Sequence, residues 1–378
     1  MTEFSICKHL VVDQTYPDVF FDKKNISNYY YKFKEKIEPN LYSGEDGKLA
    51  LNKKVLEIKK DTKKDQYNCI MGISGGLDSS FMLHKMVTEF DLKPLVFHVD
   101  AGWNSETATN NINNLIDRLG LDLYTEVMDW EEMRELQLAF FKSGLPQLDV
   151  PQDLAFINVL YKFATENNIK YIFNGGNIAT EALNPPLKYY YWPSDTTLLK
   201  DVLKKFSKKN IEKYPLKSIF YRKIYLDYIQ RIKTIKPLNY LNFNKKEAEK
   251  ELIDLYNWKS YGQKHFESNF TAFHEGYWLP TRFNFDIRKN FLSSLILSNQ
   301  ISREEALNVL KKPSFDNNEI GSNIKYIANK LEISTDELMH YKEIPLKFYY
   351  DYKNISHIYS IGDRIISNIQ KTQRGGAY

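Results

Sequence analysis

Ser74-Gly75-Gly76-Leu77-Asp78-Ser79-Ser80 decides the fold of this chain. Ahead of it, Tyr67-Asn68-Cys69-Ile70-Met71-Gly72-Ile73 is an apolar run of strand length. Behind it, residues 81–90 carry apolar side chains at helical spacing. A strand, a glycine turn and a hydroxyl-rich helix start make an anion cradle. Glycine lets backbone N–H groups approach a phosphate closely, and the helix N-terminus adds unsatisfied donors and positive potential.

Outward from this stretch the pattern alternates. Strands are expected at 94–99, ending in Asp100, at 123–127, ending near Asp129, and at 171–173, opening into Asn174-Gly175-Gly176-Asn177. Helices are expected at 79–90, 106–119 (closed by Gly120), 130–142 and 153–167. This alternation predicts an α/β fold, a doubly wound parallel sheet with helices on both faces. Ligands of such sheets bind at the carboxyl ends of strands, where the glycine loop, Asp100, Asp129 and Gly175-Gly176 all fall. Past Leu183 the prolines of Asn184-Pro185-Pro186 and Trp192-Pro193 mark a loop. From 245 onward the pattern is mainly helical, at 245–256, 288–297, 302–310, 323–331 and 335–340. Before the sheet, 4–12 reads as a short strand or turn, and 29–36 and 48–60 as helices. Three parts are expected: an N-terminal segment 1–65, a nucleotide-binding domain 66–195 and a mainly helical region 196–378. The tail 371–378 is expected to be disordered.

Composition narrows the function classes. With 52 Lys+Arg against 48 Asp+Glu, the chain is nearly balanced, too weakly basic to imply a nucleic-acid partner by itself. Residues 200–250 hold fifteen Lys/Arg against five Asp/Glu. A solvated basic face is the default reading, with an anionic sugar nucleotide, a partner subunit or tRNA as the alternatives. The two cysteines, Cys7 and Cys69, exclude a disulfide framework and a cysteine-only zinc site. There is no apolar run of transmembrane length and no signal-peptide core, so a cytoplasmic protein without a membrane partner is expected.

Gly72-Ile73-Ser74-Gly75-Gly76 also fits the G-x-S-x-G nucleophile elbow of α/β-hydrolases. Its place at the first strand and the lack of an HGGG-type segment weigh against that. The full SGGLDSS instead resembles the pyrophosphate loop of the ATP pyrophosphatase superfamily. That resemblance implies ATP cleavage between the α and β phosphates, adenylation of a substrate oxygen, and displacement of AMP by a nitrogen or sulfur nucleophile. It assigns ATP to Ser74, Gly75, Gly76, Leu77, Asp78, Ser79, Ser80, Asp100, Gly175, Gly176 and Asn177. Asp78 would act through Mg²⁺, with a helix N-cap as its structural alternative. Cys69, in mid-strand, is expected to be inert, which favours nitrogen over sulfur transfer.

Tyr261-Gly262-Gln263-Lys264-His265-Phe266-Glu267-Ser268, Phe285-Asp286-Ile287-Arg288-Lys289 and the run from Leu292 to Leu307 resemble the signature of the N-acetyl sugar amidotransferases. The pseudaminic acid amidotransferase is one of that group. The resemblance implies conversion of an acetamido group of a bacterial surface sugar to acetamidino. It also implies ammonia delivered by a glutaminase partner; neither cysteine here sits in a nucleophilic setting, so glutamine is hydrolysed on another subunit or free ammonia is used. A tRNA-modifying enzyme of the same superfamily and a non-catalytic scaffold are the alternatives. Ser74, Asp78, His265 and Glu267 are the expected catalytic residues. His265 and Glu267 read equally well as a structural polar pair. Arg282, Arg288 and Lys289 are expected to bind an anionic substrate, or to be solvated charges. Two departures stand out. The family's paired cysteines near the N-terminus, a zinc-knuckle pattern, survive only as Cys7, with Ser27 and Tyr30 in the second pair's place, so no zinc is expected. Ala272 stands where a basic residue is expected.

Overall fold

The computed structural model describes residues 5–41, 44–218, 221, 226, 230–316 and 319–359. The tail 371–378 lies outside the described residues. Two helices precede the sheet, α1 (Asn28–Lys32) and α2 (Gly44–Asp61). The alternating part runs β1 (Cys69–Gly72), α3 (Leu77–Thr88), β2 (Pro94–Asp100), α4 (Glu106–Leu119), β3 (Leu123–Val127), α5 (Trp130–Ser143), α6 (Val150–Glu166) and β4 (Tyr171–Phe173). Then come α7 (Ile178–Glu181), α8 (Thr196–Phe206), β5 (Lys233–Ile235) and α9 (Lys245–Tyr256). The chain closes with α10 (Asn269–Phe273), α11 (Leu279–Phe283), α12 (Arg288–Leu297), α13 (Arg303–Leu310), α14 (Ile320–Lys330) and α15 (Thr335–Glu343).

Local chemistry sets the boundaries. Ser105 caps α4 by accepting from Ala108 N–H at 3.1 Å, and Gly120 ends it at φ +61°. Asp129 caps α5 through Glu132 N–H. A capping box between Ser302 and Glu305 opens α13.

The sheet is five-stranded and wholly parallel, in the order β3-β2-β1-β4-β5. The order reverses between β1 and β4, and that switch point is where such sheets open a ligand crevice. Side chains alternate across it. Cys69 and Met71 of β1 and Tyr171 and Phe173 of β4 face a core shared with α2, α3, α4 and α9. Ile70, Phe97, Val99 and Ile172 face the other side, against Val159 and Ala164 of α6. The doubly wound α/β expectation therefore stands, with a mainly helical C-terminal region.

Three elements differ from the sequence reading. Strand β5, only three residues long and flanked by lysines, was not expected; it completes the sheet edge beside β4. Helix α8, capped by Asp195, follows the expected loop and was not expected. Residues 269–283 form two helices joined by the π-helical turn His274–Trp278. Pro280 has no N–H to donate and follows that widened turn.

The N-terminal segment is packed into the helical body. Cys7, Leu10, Val12, Tyr16 and Phe33 share one core with Phe270, Trp278, Phe285, Ile327 and Tyr352. Of the positions that resemble a zinc knuckle, Cys7 and Ser27 meet, and Tyr30 packs beside them on His9. Ser27 N–H donates to Cys7 Sγ at 3.3 Å, and the His9 ring stacks on Tyr30.

Candidate active site

The Ser-Gly-Gly loop leaves β1 at the switch point and turns into α3, whose N-terminus carries no side-chain cap. Its first N–H groups therefore face the cleft unsatisfied by any side chain. Gly75 lies at φ +81°, and a Cβ there would sit 2.7 Å from the carbonyl oxygen of Ala108. Ser74, Gly76 and Ser79 fold the loop on itself: Ser74 N–H donates to Ser79 Oγ at 3.3 Å, and Ser79 Oγ donates to the Gly76 carbonyl at 3.2 Å. Across the switch point, Gly175 packs on the same helix start. A Cβ there would be 2.9 Å from Ser79 N. The loop after β4 thus reaches the loop after β1 only because residue 175 has no side chain.

These two loops floor a cleft of about 620 Å³. It is lined by Ser74, Gly76, Leu77, Asp78, Ser79, Gly175, Gly176, His265 and Glu267 among the expected residues. Its apolar part is built from Ile73, Phe97, Val99, Phe156 and Leu160.

Residues 267–269 pair with the turn after β2. Ser105 N–H donates to Glu267 O, and Asn269 N–H to Trp103 O, both at 2.9 Å. This carries the Glu267 carboxylate onto the glycine loop, where it accepts from Ser74 Oγ at 3.1 Å. A carboxylate thus occupies the edge of the anion cradle. His265 has φ +67°, a strained setting for a non-glycine residue. The turn sends Lys264 and His265 to different partners. Lys264 Nζ meets Asp78 Oδ2 at 2.6 Å, Glu181 Oε1 at 2.7 Å and Thr180 Oγ1 at 2.8 Å. Burial lowers the lysine's pKa, but the two carboxylates raise it more, so it stays charged. His265 Nδ1 lies 3.2 Å from Glu275 Oε1. Burial opposes its charge, the Glu275 charge outweighs that, and the imidazole pKa is pushed up to about 9.

Several expected residues act from outside the cleft wall. Gly75 is engaged from behind: Trp258 Nε1–H and Tyr261 O–H both donate to its carbonyl at 3.0 Å. Ser80 is fully buried, and its Oγ has no partner among the described residues. Asp100 spends Oδ1 on Gly102 N–H at 2.7 Å and Asn104 Nδ2 at 3.2 Å, so it shapes the turn after β2. Asn177 is buried and caps α7 through Thr180 N–H. His98 is buried between Ile73 O and Asn104 Nδ2, with its edge on the cleft.

The expected substrate-binding cations lie away from the cleft. Arg282 donates to the carbonyls of Tyr341 and Ile344, holding α15; burial lowers its pKa to about 10. Arg288 pairs with Asp286 and donates to Lys312 O. Lys289 pairs with the buried Asp13 at 2.6 Å, tying the N-terminal segment to α12. None of the three lines the cleft. Part of the basic excess at 200–250 is paired with carboxylates outside that segment, as in Lys213–Asp129 and Lys250–Asp254.

The sequence reading assigned no role to several residues that build the cleft. Lys264 lay within the quoted signature, beside His265. Tyr261 opens the same signature and Trp258 lies outside it; a carbonyl as the target of either leaves no mark in sequence. A second polar wall faces the glycine loops: Asp149, Gln152 and Asp153 at the start of α6, with Glu275 from the π-helical turn and Tyr190. Acidic residues at a helix start read as ordinary dipole compensation.

Residues 267–365 match the family described as LPS biosynthesis protein WbpG-like, C-terminal domain. No curated protein matches the chain. Among solved structures, the NH3-dependent NAD synthetase from Campylobacter jejuni subsp. jejuni NCTC 11168 is 15% identical, with a TM-score of 0.29, 70% of this chain covered and 97% of that one. The U34-tRNA thiolase NcsA from Methanococcus maripaludis is 13% identical, with a TM-score of 0.30 and coverages of 70% and 80%. NMN synthetase from Francisella tularensis is 14% identical, with a TM-score of 0.27 and coverages of 58% and 90%. At these scores the fold reading rests on the strand order and the loop geometry themselves. Among the described residues no helix is long and apolar enough to cross a membrane.

Proposed function

We propose that the chain is an ATP-dependent amidotransferase that converts an acetamido group of an N-acetylated bacterial surface sugar, a nonulosonic acid such as pseudaminic acid, to acetamidino. The observation that carries this reading is the uncapped Ser-Gly-Gly helix start at the switch point, in one cleft with Asp78–Lys264. The WbpG-like match over 267–365, which begins at the cleft residue Glu267, supports a sugar as acceptor.

An amide carbonyl is a poor electrophile and its oxygen a poor leaving group. In the proposed reaction that oxygen attacks the α-phosphorus of ATP, pyrophosphate leaves with the P–O electron pair, and the amide N–H proton is lost. The helix-start N–H groups and Ser79 hold the departing charge. Lys264 adds a permanent cation where negative charge grows, and Asp78 keeps it oriented. Mg²⁺ on Asp78 would supply further charge neutralisation at the phosphates; the carboxylate and the phosphate cradle beside it are suited to one. Ammonia then adds at the activated carbon and AMP departs. A glutaminase subunit or free ammonia is the nitrogen source in this reading, and a cytoplasmic location follows from it.

Incubation with ATP, ammonia and a panel of activated N-acetyl sugars tests the proposal. High-resolution mass spectrometry should show one oxygen exchanged for NH in one sugar, with AMP formed in equal amount. AMP formation that depends on tRNA and on no sugar would replace it with the tRNA-modifying reading.

A further inference from the structure

The second wall of the cleft, Asp149, Asp153, Glu275 and His265, is backed by the buried His274, so three carboxylates and two imidazoles cluster there. Two of the carboxylates are satisfied within it. Asp149 accepts from His274 Nδ1 at 3.1 Å and from Gln152 Nε2 at 2.8 Å. Glu275 lies 3.2 Å from His265 Nδ1 and accepts from Tyr190 O–H at 3.0 Å. Asp153 is different. It lines the cleft, yet among the described residues it has neither a hydrogen-bond nor an ion-pair partner for its carboxyl group.

We infer that Asp153 is the proton acceptor that turns an incoming ammonium ion into the ammonia nucleophile. This rests on the amidotransferase reading. The geometry supplies the reasons. A carboxylate without a protein partner, on the wall of a cavity, is free to meet a cationic ligand. Asp149 and Glu275 on either side favour a small cation there. The glycine loops, where the activated carbon would be formed, line the same cleft. Asp153 is faced by Asp149 from its own helix start, by His274 and Glu275 from the π-helical turn, by His265 from the loop after α9, and by Tyr190 and Tyr214. Burial first, then Asp149 and Glu275, raise its pKa to about 7, while the two imidazoles lower it. A base near the working pH both takes and releases a proton readily.

The step balances. One N–H bond of ammonium breaks, and its proton goes to a carboxylate oxygen of Asp153. The electron pair left on nitrogen forms the C–N bond to the adenylated imidate carbon. One further proton moves from the added nitrogen to the sugar's amide nitrogen. The C–O bond to AMP breaks with its electron pair, leaving an amidinium.

Asp153→Asn tests this through two half-reactions. Acceptor-dependent ATP–pyrophosphate exchange, which precedes nitrogen attack, should be kept within a few-fold. Ammonia-dependent amidine formation at neutral pH should fall about 100-fold. Hydroxylamine, already a neutral nucleophile at that pH, should turn over at nearly the wild-type rate, and raising the pH to increase free ammonia should recover the loss. Equal losses with both nucleophiles and an unchanged pH profile would overturn the role. Absence of sugar-dependent exchange in the wild type would instead sink the amidotransferase reading. Independently of turnover, ¹³C NMR of labelled aspartates should show one carboxyl, absent in the variant, that titrates near neutrality. Ammonium chloride should shift its midpoint downward and tetramethylammonium chloride should not. No ammonium effect rules the inference out whichever sugar is used.

Discussion

Asp78 and Lys264 hold one another at 2.6 Å, and Lys264 is only 15% exposed. Asp78→Asn should abolish AMP formation while the protein stays folded, because Lys264 keeps Glu181 as counter-charge; unchanged AMP release would remove Asp78 from the chemistry. Lys264→Met should do more damage, leaving two carboxylates facing each other in the cleft. A loss on the order of 3 kcal/mol in denaturant melts is expected. The titrating pair on the opposite wall sets a pH dependence. His265 is raised from 6.5 to about 9 by Glu275 against the cost of burial, so its stabilisation is complete below pH 6.5 and fades as pH rises toward 9. Asp153, raised from 3.8 to about 7, also binds its proton more tightly when folded; its contribution is present in acid and fades between about 4 and 7. Melting temperatures across that range should therefore decline with pH, and Asp153→Asn should flatten the acid part of the slope while leaving the alkaline part.

At the scale of elements, the contact between the helix start of α3 and the loop after β4 depends on missing side chains. Gly175→Ala would drive a Cβ to 2.9 Å from Ser79 N, and Gly75→Ala would add backbone strain at φ +81°. Each should lower stability by roughly 1–3 kcal/mol and weaken ATP binding, read by melts and by equilibrium titration. Trp258→Phe is a gentler probe. It removes one donor from the Gly75 carbonyl and leaves Tyr261 in place, so about 1 kcal/mol of stability should go, with ATP affinity reduced severalfold. An unaltered titration would mean that the bracing from behind does not reach the cradle.

Over the whole molecule, the N-terminal segment, the sheet and the C-terminal helices are interlocked. Arg303 Nε reaches the carbonyls of Cys7 and Leu10, and Lys289 reaches Asp13. Lys289→Met should therefore cost on the order of 3 kcal/mol of stability yet leave the KM for the acceptor unchanged, the opposite of what a substrate contact would show. Strand β5 and helix α9, which follow the expected domain boundary at 195, complete the sheet edge and cover α3.

Local pattern was enough to read β1 to β4 and the helices between them, helped by boundary signals such as Gly120, which ends α4, and Asp129, which starts α5. It was enough, too, to place an anion cradle at Ser74–Ser80, since strand, glycines and helix start are contiguous in the chain. Strand β5 escaped because its three residues, Lys233-Thr234-Ile235, are too few to carry a period. The charges at Arg282, Arg288 and Lys289 looked available because a sequence does not show the carbonyls and carboxylates that take them up. Above all, the cleft's second wall joins residues about 120 positions apart, Asp149 and Asp153 with Glu275 and the buried His274 behind it. Each is an unremarkable polar residue by itself. Only the packing of a π-helical turn against the start of α6 brings them together, and only that neighbourhood leaves the Asp153 carboxyl without a partner among the described residues and holds its proton near neutrality.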